Sequence, residues 1–401
     1  MILPSYVLKA LNLLEQSGFI AVVVGGAVRD FLLGKEPYDY DISTSATPDE
    51  IMTVFTHYYL LDFGKKHGTI TVFLDHHQLE ITTFRVESGY EDFRHPNKTQ
   101  FVRNLKQDIN RRDFTINAIC FNKDYIDFVG GMQDLKLGII RAIGNPQDRF
   151  YEDPLRIMRG LRFASTFGFI MEEETKQAII KYMPLISRVS KERIRDEFNR
   201  FLSGEKCVSV FLEYGEKLMA IISPTIVFDY EAIIKRLEVV KGLHVKIASI
   251  FLDLAKDQIK KELKSLKYSN NDIKIILMFC DAKNISWSTD RYFLSQLLSK
   301  FAYQDVLTML AFYQSITDHN LTKEQEQIIL NNLNDLNLNN HCFHLADLAI
   351  DGNQLLQLGI PQGKKINVIL YKLLDEIMQG KLANDEQTLL QRALVIYQER
   401  R

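Results

Sequence analysis

The run Val22-Val23-Val24-Gly25-Gly26-Ala27-Val28-Arg29-Asp30, followed by Asp39-Tyr40-Asp41-Ile42-Ser43-Thr44, decides how this chain is read. A β-branched strand enters two glycines and a helix leaves them. Glycines let the backbone approach a ligand closely, and a helix N-terminus offers free N–H groups and positive dipole to phosphate. A tight structural turn explains the same letters. Asp39 and Asp41 are two residues apart, so on a strand they face the same side. Two close carboxylates repel unless a cation sits between them, and carboxylate and phosphate oxygens are the ligands magnesium prefers. The alternative is an acidic turn.

Around this run, β-branched segments predict strands at Ile20–Val24, Thr69–Leu74 and Leu79–Phe84, with Asp75-His76-His77-Gln78 joining the last two as a hairpin. Helices are expected at Val28–Leu33 and Pro48–Phe55. On the hairpin strand Leu79 and Ile81 face the core, which leaves Glu80 on the other face. A third carboxylate there could complete a two-metal site, or it could be a solvated strand residue. The chain changes character near residue 140. After 150, apolar residues recur at helical spacing: Ile157, Leu161 and Ala164; Ile179, Met183 and Ile186; Ile194, Phe198 and Phe201. The same pattern continues through 232–240, 245–254, 273–278, 291–301, 306–312, 324–333 and 366–378. The Asn-rich stretch Asn331–Asn340 reads as the joint to a C-terminal piece.

The 401 residues suggest two or three domains, and 46% hydrophobic with 25% charged residues is a globular composition. Forty-nine basic residues balance 51 acidic ones, for a net charge of -2. That excludes a broadly cationic scaffold, but a nucleic acid needs only a local groove. From Arg94 to Arg112 there are six Lys or Arg against one acid, Asp108. Cys120, Cys207, Cys280 and Cys342 are far apart, so neither a CxxC zinc clip nor a disulfide framework is expected. The nine histidines show no zinc spacing. The N-terminal segment reads as an amphipathic helix and not a signal peptide, and no apolar run reaches about 18 residues. A soluble cytoplasmic protein without a membrane span is expected, and no protein partner is predicted.

Several motifs now stand in order: Gly25-Gly26-Ala27-Val28-Arg29-Asp30 with Asp39-Tyr40-Asp41; His67-Gly68-Thr69; Glu80-Ile81-Thr82-Thr83-Phe84-Arg85; Arg111-Arg112-Asp113-Phe114-Thr115-Ile116-Asn117-Ala118; and Glu152-Asp153-Pro154-Leu155-Arg156. Over about residues 20–200 they resemble the class II tRNA nucleotidyltransferase / poly(A) polymerase family. Asp351–Gly363 and Gly380–Asn384 are similar to the tail of its compact bacterial CCA-adding members. Residues 210–320 carry only helical character. The absence of a His-Asp dinucleotide argues against the phosphohydrolase domain fused to some relatives.

The resemblance implies an α+β protein: a small nucleotidyltransferase-type mixed-sheet head (1–140), then an all-α neck (141–205), body (206–325) and tail (326–401). It implies two-metal-ion nucleotidyl transfer by Asp39, Asp41 and Glu80, with two Mg²⁺ on Asp39 and Asp41. Nucleotide contacts fall to Gly26, Arg29, Arg112, Asn117, Asp153, Arg156, Arg159 and Arg162. Asp153 and Arg156, three apart on one predicted helix face, would read the Watson–Crick edge of the incoming base, although Asp153-Pro154 is also a good helix cap. Arg85–Pro96 matches a flexible loop that CC-only members shorten; it has full length here, with His95 where the family has arginine. The implied reaction is addition of CCA to the tRNA 3′ end from CTP and ATP, with release of pyrophosphate. The rivals are a poly(A) polymerase, a partial CC- or A-adding enzyme, and a non-catalytic tRNA-binding protein.

Overall fold

The computed structural model describes residues 1–90, 96–315, 321–338 and 341–399. The chain groups into two compact units, Met1–Ile234 with Ala255–Ile273, and Lys235–Leu254 with Lys274–Arg401. The architecture is α+β, a mixed sheet followed by helices.

In the first unit, α1 (Ser5–Gln16) precedes β1 (Ala21–Val24), whose four residues are all buried, as a central strand requires. Gly25 then turns the chain at φ +82°, a backbone open to glycine at no steric cost, and α2 (Gly26–Leu32) begins. β2 (Asp41–Thr44) returns antiparallel to β1 with Val24 opposite Asp41. Strand pairing therefore starts at Asp41 and leaves out Asp39, although the sequence had placed both aspartates on the strand. β1 ends where Gly25 turns away, so β1 offers no partner to Asp39, which lies in the irregular run just ahead. Next come α3 (Pro48–Val54), capped reciprocally by Thr47 and Glu50, then β3 (Tyr59–Leu61), β4 (Thr69–Leu74) and β5 (His77–Thr83). The β4–β5 joint is two residues, not four: Asp75 and His76 at φ +49° and +67° make the tight turn, and Leu74 pairs with His77.

β6 (Arg85–Tyr90) and β7 (Pro96–Phe101) form a separate antiparallel ribbon where the sequence suggested a flexible loop; its tip, 91–95 with His95, lies outside the described residues. After α4 (Leu105–Asn110), β8 (Cys120–Asn122) and β9 (Asp124–Ile126) complete a seven-stranded sheet of order β3-β4-β5-β2-β1-β8-β9. β2 and β5 run parallel, which sets Asp41 beside Glu80 in register.

α5 (Gly131–Leu137) leads to α6 (Pro146–Glu152), which Asn145 caps through the Gln147 N–H with proline in its first turn. α7 (Leu155–Phe167) follows, and the helix is broken between the two. Asp153 sits at φ −139°, ψ 98°, because the residue before a proline is driven out of the helical region. Asp153 and Arg156 consequently do not share one helix face, contrary to the sequence expectation. α8 (Glu173–Tyr182) packs on α6, and α9 (Lys191–Ser203) and α10 (Cys207–Ile222) pack on α7. The helix Lys256–Ser265 also belongs to this unit. Arg195 donates to the carbonyl of Lys267, and the Tyr268 hydroxyl lies 2.5 Å from Asn199 Oδ1.

The second unit is helical. Residues 331–338, expected to be a joint, instead complete the helix Lys323–Leu338. Ile329, Leu333 and Leu336 are buried along it, and that burial outweighs the poor helix propensity of the asparagines. A further core gathers Leu355, Leu373, Leu389, Ala393 and Ile396. Among the described residues no helix is long and apolar enough to cross a membrane.

Candidate active site

A cleft of about 700 Å³ in the first unit is lined by Gly25, Gly26, Asp39 and Asp41 on one side and by Asp153, Arg156, Arg159 and Arg162 on the other. Arg29, Arg112 and Asn117 also line it, so every candidate residue except Glu80 reaches this one space. Glu80 stays on β5, in register with Asp41.

At the sheet end, the Asp41 carboxyl is pushed up to about 6. Loss of hydration in the cleft is the main cause, Asp39 and then Glu80 add repulsion, and Arg112 opposes them. Among the described residues no three His, Cys, Asp or Glu side chains form a ready metal cage. Two crowded carboxylates open to the cleft nevertheless fit a hard divalent cation that takes its remaining oxygens from a polyphosphate.

The basic stretch is organised by the acid within it. Asp108 is fully buried on α4; its Oδ1 accepts Arg111 at 2.9 Å and its Oδ2 accepts Arg112 at 3.2 Å. Burial pushes its pKa up, but the two guanidiniums pull harder, so it lies below the usual range. Arg112 also donates to Ser43 Oγ at 3.0 Å, while its buried Nε meets no hydrogen-bond partner among the described residues. The ribbon is tied down at its base. The Arg85 N–H donates to Asp108, its guanidinium donates to the carbonyl of His67, and Glu87 accepts from Arg85 at 2.7 Å and Arg111 at 3.4 Å.

Asp113 links head to neck. Its Oδ2 accepts Arg159 Nε at 2.6 Å, its Oδ1 accepts Asn117 Nδ2 at 3.3 Å, and Asn117 Oδ1 accepts Arg29 at 2.5 Å. Burial opposes ionisation of Asp113, yet Arg159 and its hydrogen bonds hold it down at about 2. Arg29 is further paired with Asp30 at 2.8 Å. The guanidiniums of Arg29, Arg159 and Arg162 stand 5.3, 5.7 and 4.3 Å from the Phe163 ring centre. Burial pushes Arg162 down to about 10, with Glu197 at 3.2 Å opposing that shift. Cations crowded on one ring make a site that favours a polyanion.

Arg156 is buried, donating to Glu152 at 2.9 Å and to the Arg111 carbonyl at 3.1 Å. Asp153 does cap α7: its Oδ1 accepts the Leu155 N–H at 3.1 Å. Its Oδ2 accepts Arg193 at 3.2 Å. Sequence reasoning missed Glu87, Asp108, Phe163 and Arg193. Asp108 had a local signal, its i+3 and i+4 spacing to Arg111 and Arg112. Arg193 had none, because its partner is 40 residues away.

The fold and this cleft define a nucleotidyltransferase of the poly(A) polymerase type. Residues 21–141 match the poly A polymerase head domain, 168–224 the family described as a probable RNA and SrmB-binding site of polymerase A, and 245–393 tRNA nucleotidyltransferase domain 2. The chain is 34% identical over 389 residues to the CCA-adding enzyme of Lactobacillus delbrueckii subsp. bulgaricus, covering 94% of each chain. It is 34% identical over 393 residues to that of Bacillus cytotoxicus, again covering 94% of each. The crystal structure of the Bacillus stearothermophilus CCA-adding enzyme in complex with CTP superposes with a TM-score of 0.78 at 26% identity, covering 100% of this chain and 99% of that one. The chain belongs to the CCA-adding enzyme family, which uses a divalent metal.

Proposed function

We infer that this protein adds CCA to the 3′ end of tRNA, using CTP and ATP and releasing pyrophosphate. The observation that carries the reading is the single cleft, which joins paired carboxylates at the end of a sheet to Asp153 and Arg156 in the neck. Asp39 and Asp41 would hold two divalent cations, which we take to be Mg²⁺, with Glu80 as a supporting charge. When bound, one metal ion would lower the pKa of the primer 3′-hydroxyl and the other would neutralise charge on the leaving pyrophosphate. Gly26, at the start of α2, offers its N–H to phosphate. Arg29, Arg112, Arg159 and Arg162 receive the triphosphate, and Asn117 keeps Arg29 in place.

Asp153 accepts from the exocyclic amine that cytosine and adenine share, and Arg156 donates to the neighbouring ring acceptor. Uracil and guanine present the reverse pattern and leave both groups unpaired. The protein thus stands in for a template. In functional terms the division is a catalytic head (1–140), a base-reading neck (141–205), and a body and tail (206–325, 326–401) for tRNA. A tRNA substrate and free nucleoside triphosphates fit a cytoplasmic site of action.

Incubation with tRNA lacking CCA, and with CTP and ATP singly and together, tests the reading. Two C with CTP alone, and one A only when both are present, is the expected result. Long A tracts, CC alone, A alone on a CC-ended tRNA, or binding without extension would each replace it.

A further inference from the structure

α9 lies outside the elements that carry the sequence motifs, yet it places a side chain in the cleft. Arg193 lines the space beside Asp153 and donates through Nη2 to Asp153 Oδ2 at 3.2 Å. The other carboxylate oxygen is held from the opposite side by the Leu155 N–H. The two side chains are 25% and 18% exposed, so this is not a fully solvated surface pair. Asp153 stands in the break between two helices, where no helical turn restricts its rotamer. The two hydrogen bonds supply that restraint. An acceptor that must meet one amine donor reads the base only if its position is fixed before the base arrives.

We propose that Arg193 is a positioning residue for base selection, clamping Asp153 so that its remaining lone pairs point at the incoming amine. The proposal rests on the reading of Asp153 as the base acceptor. One helical turn along α9, Glu197 lies 3.2 Å from Arg162, farther along the cleft wall. The same helix therefore offers an internal comparison, a substitution that disturbs α9 without touching Asp153.

The test measures kcat/KM for CTP and for UTP on tRNA lacking CCA, with thermal unfolding alongside, for the full chain and five variants. Arg193→Ala should lower use of CTP and cut the CTP/UTP preference by roughly tenfold. Arg193→Lys, which keeps a donor, should restore most of that preference. Asp153→Ala with Arg193→Ala should be no less selective than Asp153→Ala alone, because the clamp then has nothing to hold. Glu197→Gln should alter the KM for CTP and UTP alike and leave their ratio unchanged. The proposal is overturned if Asp153→Ala relaxes the preference and Arg193→Ala does not, whatever happens to rate or stability. Equal relaxation by Glu197→Gln also overturns it, since selectivity would then follow the general integrity of α9. Should Asp153→Ala itself leave the preference unchanged, the base-acceptor reading falls first and the clamp falls with it. If Arg193→Ala does not fold, Arg193→Gln takes its place under the same criteria.

Discussion

At the scale of single residues, the pair Asp39 and Asp41 concentrates like charge that only a cation relieves. Asp39→Ala or Asp41→Ala should abolish incorporation of both CMP and AMP while tRNA binding survives. Glu80→Ala should cost less, since water can replace a third carboxylate. Gel-resolved extension assays with parallel tRNA-binding measurements decide this, and near-normal turnover in either aspartate variant would remove the metal site. The raised pKa of Asp41 carries a sign. Unfolded, the group loses its proton near about 4; folded, it keeps it to about 6. Its ionisation thus weakens the fold as pH rises through that interval, fully so above 6 and not at all below about 4. In a chelator, Asp41→Asn should raise the Tm at pH 8, with the gain vanishing near pH 4. An unchanged or lower Tm at pH 8 would contradict that account. Asp153 combines a cap with a place in the cleft, and serine separates the two roles. Asp153→Ser should keep the Leu155 cap and the Tm but relax the CTP/UTP preference. Alanine should lose both, at about 1 kcal/mol of stability.

At the scale of elements, the ribbon is fixed at its base. Arg85, Glu87 and Asp108 anchor its first residues to the head, and the strands pair from Arg85–Phe101 outward to Tyr90–Pro96. Deleting Gly89–Asn97 leaves the anchored part intact. CC addition should then continue and the final A should stop, because one site must be readjusted to accept the second kind of base. Equal loss of C and A addition on a CCA-less tRNA would make the segment purely structural. The neck shows a different logic. Proline at 154 breaks a helix that the apolar spacing alone would have continued, and the break frees the Asp153 carboxylate both to cap and to face the cleft.

At the scale of the whole molecule, the first unit is completed by a segment that returns late in the chain. Residues 255–273 pack with 1–234, and the Tyr268 hydroxyl reaches Asn199 on α9. Tyr268→Phe should cost about 1 kcal/mol, the worth of one hydrogen bond. The loss should appear in the thermal transition that CTP shifts upward, with the KM for CTP little changed. If that transition does not move, the returning segment is not part of the nucleotide-binding unit.

The strand, paired glycines and helix were legible in the sequence because each depends on neighbours a few residues away, β-branched residues and a positive φ, whereas the strand period predicted for both aspartates holds for Asp41 and not for Asp39. The helical character after 150 was legible for the same reason. The β4–β5 joint and the start of β2 were read a residue or two wrong, since pairing partners, not local propensity, end a strand. The Asn-rich stretch was misread because buried Leu333 and Leu336 decide its conformation, and burial is a property of the packed chain. Only the tertiary structure set Glu80 beside Asp41, buried Asp108 beneath two arginines, gathered three guanidiniums on Phe163 and brought Arg193 to Asp153. Those contacts join residues distant along the chain. Their cost in loop closure and their gain in buried charge pairing are fixed only when the whole unit packs.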